Sequence, residues 1–248
     1  DGDELYLYDS DATINNSIIW NNTSDLIHIR GDEGWGYGES SILISHSTIY
    51  GGQENIVTNN NGTVNWLEGN IDTDPLFTDP DNGDYTLQAG SPGIDAGDPN
   101  SDLDPDGTVA DMGAYYFDQT PIYVSPNGSD SNDGSETSPM ATIQAGLDAS
   151  SYAVKVLEGE YVVSSNTLVP EDISLTLDPG VKLKFEVGKV FQVKGELIAR
   201  GTSSSKITFT SNETNPSKGD WEHIKFFDES TDASFSGTSY TGGSIMEY

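Results

Sequence analysis

Apolar residues in the second half of the chain recur in short runs whose alternate positions are polar. Val181-Lys182-Leu183-Lys184-Phe185 alternates with period two, and Val190-Phe191-Gln192-Val193 follows it. Such runs bury one face of a strand and leave the other to Lys or Gln. Gly180, Gly188, Gly195 and Gly201 punctuate them. The same pattern predicts strands at Ile122–Val124, Val154–Leu157, Leu175–Leu177, Leu197–Ala199, Ile207–Phe209 and Ile224–Phe226. One helix is predicted, over 139–149. Ser138 is placed as its N-cap and Pro139 at its first position, where a missing N–H costs little. Ile143 and Leu147 give that helix a short apolar stripe suited to covering the end of a stack.

The first half holds a self-similar pair. Ile14-Asn15-Asn16-Ser17-Ile18-Ile19-Trp20 matches Ile44-Ser45-His46-Ser47-Thr48-Ile49-Tyr50 at an offset of 30 residues. Leu26–Ile29 and Val64–Leu67 supply further short strands around it. Short strands between Asn, Gly and Asp turns, repeating every 20–30 residues, predict the rungs of a solenoid. The expected fold is therefore all-β, a right-handed parallel β-helix with one short capping helix near 139–149. After Gly69 the pattern turns rich in proline and turn residues, which oppose a continuing ladder. Residues 70–118 are thus expected to close a stack. The seam Asp118-Gln119-Thr120-Pro121 separates 1–118, a closing end, from 121–248, an opening end whose cap spans 121–150. The closing half precedes the opening half.

Composition narrows the partners. Of 248 residues 34% are hydrophobic, which suits a narrow core rather than a large globular one. Disorder is disfavoured by 12 Tyr, 8 Phe and 4 Trp. The formal charge is −31. Arg30 is the sole basic residue before position 121, against 23 carboxylates, a net of −22, while the remainder carries 9 basic and 18 acidic residues, a net of −9. That field repels phosphate, so no nucleic-acid partner is expected. No run approaches the ~20 apolar residues of a membrane span, and membrane insertion is not expected. There is no cysteine. The chain opens on Asp rather than Met and is read as a mature product or a piece of something longer, with no signal peptide expected.

The stretch Tyr123-Val124-Ser125-Pro126-Asn127-Gly128 through Asp133-Gly134, Ser138-Pro139 and Thr142-Ile143-Gln144-Ala145 resembles the opening cap of parallel β-helix proteins. Asp74-Pro75-Leu76-Phe77, Gly83-Asp84-Tyr85, Ser91-Pro92-Gly93-Ile94-Asp95-Ala96-Gly97 and Asp111-Met112-Gly113-Ala114-Tyr115 resemble their closing segment. The family resembled is the pectate-lyase-like superfamily, in its large secreted or surface proteins of bacteria. The resemblance implies an extracellular or cell-surface setting. It implies little about activity, because the fold carries lyases, hydrolases, adhesins and structural proteins alike.

Candidate chemistry is sparse. Asp102, Asp104 and Asp106 precede Gly107 in a D-x-D-x-D-G run, with Asp111 nearby, a spacing that lets carboxylate oxygens converge on calcium. The competing reading is a solvated acidic turn. Asp130, Asn132 and Asp133 form a weaker set, read as an Asx-turn loop. No catalytic residue is expected: Arg30 and Arg200 stand apart from acid clusters, and His28, His46 and His223 are scattered. Trp20, Tyr50, Trp66 and Trp221 are read as rung fillers ahead of a sugar platform. Six Asn-x-Ser/Thr triplets, at Asn15, Asn21, Asn22, Asn61, Asn127 and Asn212, follow from an Asn-rich composition.

Two functions are weighed. The first is a structural, self-associating module, in which open terminal rungs stack head to tail through Leu5, Tyr6, Leu7, Ile14, Ile18, Ile245, Met246 and Tyr248. Its partner is a second copy or a neighbouring repeat, since unpaired strand edges template further pairing. The second is a carbohydrate-active module, a polysaccharide lyase or a glycan-binding adhesin.

Overall fold

Ile14 lies beside Ile44 in a parallel ladder, so the 30-residue repeat is one turn of a coil. The computed structural model describes residues 5–20, 27–30, 38–59 and 62–247. The fold is an all-β parallel solenoid of about seven turns with one short helix. It divides between Asp118 and Gln119 into two units.

In the first unit β1 (Leu5–Tyr8), β2 (Asp11–Asn15) and β3 (Ile18–Ile19) form one rung. A second consists of β4 (Ile27–Arg30), β5 (Ser41–Ser45) and β6 (Thr48–Ile49). The third has β7 (Ile56–Asn59), β8 (Thr63–Trp66) and Ile71, which bridges to Thr48. Parallel stacking gives sheets β1-β4-β7, β2-β5-β8 and β3-β6. Alternate residues point inward and pile into columns, Ala12–Ile42–Val64 and Ile14–Ile44–Trp66. Ile27, Ile29, Ile42 and Ile44 of the middle rung are fully buried.

The turns stack as regularly as the strands. Asn16, His46 and Gly69 hold the same corner on successive rungs, each with positive φ of 49°, 46° and 77°. Asn tolerates that conformation, and Gly adopts it without steric cost. At Gly69 there is a second constraint: a Cβ there lies 2.3 Å from the His46 ring. One residue on, the Ser17 N–H donates to the Ser47 hydroxyl at 3.2 Å and the Ser47 N–H to the Asn70 side-chain oxygen at 3.1 Å. This polar ladder satisfies backbone groups that a solenoid corner leaves without strand partners.

Beyond the third rung, β9 (Phe77–Asp79) and β10 (Asp84–Leu87) form an antiparallel hairpin. The closing segment then runs back along the flank of the stack. Asp98 N–H donates to the Asn16 side-chain oxygen at 2.6 Å, and the Asn16 amide donates to Ser101 at 3.1 Å. Met112 is fully buried, with the Thr48 hydroxyl 3.3 Å from its sulfur.

The second unit begins with β11 (Ile122–Val124) and α1 (Ile143–Ala149). Its rungs are β12 (Ala153–Val156), β13 (Glu160–Val163) and β14 (Thr167–Val169), then β15 (Ser174–Leu177), β16 (Lys182–Phe185) and β17 (Phe191–Val193). The next has β18 (Glu196–Arg200), β19 (Thr208–Ser211) and β20 (Ile224–Phe226). The hairpin β21 (Ser234–Ser236) and β22 (Ser239–Gly242) follows, then β23 (Ile245–Glu247). The sheets are β11-β12-β15-β18-β23, β13-β16-β19 and β14-β17-β20. Phe185 anchors the core, stacked on Trp221 at 4.3 Å with rings 12° apart.

The helix starts later than the sequence predicts. Its N-cap is Thr142, whose hydroxyl accepts the Ala145 N–H at 3.2 Å, rather than Ser138. Met140 is held extended instead: its N–H donates to Tyr123 O and its carbonyl accepts from Ser125 N. An extended pairing at Met140 excludes helical backbone there, so Pro139 lies outside the helix. Among the described residues no helix is long and apolar enough to cross a membrane.

Candidate functional site: the open rung faces

The two ends of the second unit differ in kind. At β11 the outer edge is occupied, because Met140 bridges Val124. Ile143 and Leu147 of α1 join Val124 and Val154 in one buried cluster. Gly146 lets the helix approach closely; a Cβ there falls 2.6 Å from a Val124 methyl. This is how sheet edges are ordinarily protected.

The opposite end has no such cover among the described residues. One inward column runs Val124–Val156–Leu177–Ala199–Met246. Its last member, Met246, is 45% exposed. The column Val169–Val193–Phe226 ends likewise, with Phe226 40% exposed. Phe209 and Ile224, last in their columns, are half-buried. Two shallow hollows of about 190 and 330 Å³ flank Met246, one against Phe209 and the other against Phe226 and Ile245. Side chains that would be interior on any middle rung meet solvent here.

The first unit presents a matching face at β1–β3. Among the described residues each of these strands pairs on one side only, with β4, β5 and β6 respectively. Leu5, aligned with fully buried Ile27, is 37% exposed. Ala12 and Ile14 are half-buried where Ile42 and Ile44 are sealed. The three strands contain no proline, no lysine and one charge, Asp11, whose carboxylate takes the Ser41 N–H and hydroxyl. Tyr6 stacks on His28 with centroids 4.6 Å apart, and the Arg30 guanidinium lies 5.3 Å from the Tyr8 ring centre.

Of the residues expected to mediate association, Leu5 and Ile14 end inward columns on the first unit's face. Ile245 and Met246 lie on β23. Tyr6 points outward on β1, while Leu7, beside Ile29, also ends an inward column and is buried. Ile18 sits against the closing segment, where a Cβ on Gly113 comes within 3.0 Å of its terminal methyl. Tyr248 lies outside the described residues. Sequence reading missed Phe209 and Phe226 as face residues. Both fall within predicted strands, and projecting the coil along those strands identifies them as last in their columns.

The carboxylates read as a calcium loop are engaged in bracing the closing segment. Asp104 accepts the Asp111 N–H at 2.9 Å, and Asp106 accepts the Thr108 N–H and hydroxyl. Asp111 takes the Asp95 N–H at 2.7 Å and the Phe117 N–H at 2.6 Å, while Asp102 is exposed. Burial pushes the Asp111 carboxyl above its usual range, and the nearby charges of Asp104 and Asp95 add to this against the two hydrogen bonds. No group of three or more metal-binding side chains converges among the described residues. Asp133 makes the expected Asx turn, accepting the Ser135 N–H at 2.9 Å. Asp130 instead clamps the Ala141 and Thr142 N–H groups ahead of α1. No protein-family model matches this chain, and no curated protein matches it.

Proposed function

We propose that the chain is a structural solenoid module whose open rung faces are completed by rungs of a second copy. The β23 end of one molecule stacks on the β1–β3 end of the next. The observation that supports this most directly is the exposure of the inward columns at both faces, Phe226 and Met246 on one and Leu5 on the other. Burying a side chain of this size is worth about 1.5–3 kcal/mol, and each unpaired edge supplies a ladder of backbone groups besides. Both units contain rung pairings with the same step: Leu5 aligns with Ile27 and Ile42 with Val64, each 22 residues on, as Leu175 aligns with Leu197.

Contact between two different faces is heterologous, so it propagates into open-ended filaments rather than closing as a dimer. The formal charge opposes it at long range, which makes assembly stronger as salt rises and screens the carboxylates. The resemblance noted above implies an extracellular setting for such an array. Negative-stain microscopy and light scattering in low and high salt test the proposal. Filaments of single-chain width that lengthen with salt support it, and monomers at every salt concentration refute it. A repeat array within one longer polypeptide would complete the same faces in cis, and the isolated chain would still polymerise.

A further inference from the structure

We infer that the first unit carries a binding cleft for an organic cation, formed where the closing segment folds back on the first rung. The cleft encloses about 500 Å³, and Trp20, Phe77, Tyr85 and Tyr115 provide its aromatic walls, with Asn16 and Ile18 between them. It is preformed. Asn16 uses its carbonyl for the Gly113 N–H at 2.9 Å and both side-chain atoms for Asp98 and Ser101, fixing one wall to the other. Gly113, at φ 108°, allows the floor to close on Ile18. Phe77 and Tyr85 meet edge to face at 5.4 Å, and Trp20 meets Tyr50 in the same way at 5.1 Å, which fixes the planes of the rings. Tyr85 and Tyr115 nonetheless remain 50% and 56% exposed.

Charge selects the ligand class. Aromatic faces attract cations, most strongly alkylated ammonium groups that shed their water readily. Elsewhere in the chain rings are matched with internal cations: Arg30 with Tyr8, Lys155 with Tyr123, Arg200 with Tyr240 and Lys225 with Phe227. The cleft walls include no basic side chain. The surrounding unit has 23 carboxylates to one arginine, a field that concentrates cations and repels anions. A quaternary ammonium group satisfies both the rings and the field, whereas a neutral sugar satisfies only the rings.

Calorimetric titration of the whole chain with choline, with its uncharged isostere 3,3-dimethylbutanol and with cellobiose tests this. Choline should bind at least tenfold more tightly than the isostere, and more weakly as salt rises. Tyr115→Leu, which keeps apolar bulk without a ring, should lose about fivefold or more, and Tyr115→Phe should retain affinity. Both changes fall on an exposed side chain, and an unchanged circular dichroism spectrum and melting temperature would verify folding. Equal binding of choline and the isostere, binding of cellobiose in preference to choline, or no binding of choline at all would overturn the inference.

Discussion

Ala199 and Met246 are neighbours in one inward column, paired across β18 and β23, yet Ala199 is 2% exposed and Met246 45%. Ala199 is covered by β23, whereas no described residue covers Met246 in the same way. A solenoid core is one rung wide, so each rung is sealed by the next, and the last is sealed only by a cap or a partner. The second unit has a cap at β11 and none at β23 among the described residues. Met246→Lys should therefore leave stability nearly unchanged, within about 0.5 kcal/mol as for other exposed sites, while placing a charge where another rung would pack. Thermal melting of the monomer checks the first part.

Gly69 is expected to be the least replaceable corner of the first unit. Gly69→Ala forces a side chain into positive φ and against the His46 ring. A loss of about 1–3 kcal/mol is expected, measured by urea unfolding. Asn16→Gly, at the equivalent corner, keeps the backbone but removes the two side-chain bonds to the closing segment, and should loosen residues 97–101 in hydrogen exchange.

Tyr161 is buried in the second unit with its hydroxyl 2.7 Å from the Leu157 carbonyl and 3.1 Å from that of Val124. Burial, then the Asp178 charge, pushes the phenol well above its usual range. The side chain ties β11 and the turn after β12 to β13. Tyr161→Phe should cost about 1 kcal/mol, with no change in the near-neutral pH dependence of melting because the phenol stays protonated there.

Asp111 supplies a pH signature. Its folded pKa is raised, chiefly by burial, so protonation favours the folded state. The contribution is fully present below the unfolded value of about 4 and is lost as pH rises through the folded pKa. Wild-type stability relative to Asp111→Asn should rise as pH falls from 6 towards 4. A gap independent of pH would contradict this account of the side chain.

What was legible in the sequence was whatever repeats. The Ile14–Ile44 offset appears because a rung and its copy share an interior, and Val181–Phe185 because alternation follows the pleat. β14 was missed because it inverts the rule: Thr167 is buried and Leu168 exposed. The helix start was misplaced because Ser138 and Pro139 satisfy a local capping pattern, while Met140 is claimed by β11 from outside the segment. The path of the closing segment depends on Asn16 meeting Asp98 and Ser101, 82 and 85 residues away, a relationship with no periodic trace. The aromatic cleft was hidden for the same reason, since Tyr85 and Tyr115 lie in turn-rich stretches.

The stacking of β23 on β1–β3 is tested most directly by multi-angle light scattering on the wild type and Met246→Lys over a hundredfold concentration range in high salt. The expected result is a wild-type mass that climbs with concentration without levelling at a dimer, and a variant that stays monomeric. A wild-type mass fixed at one chain throughout, or a variant that assembles as the wild type does, would contradict it.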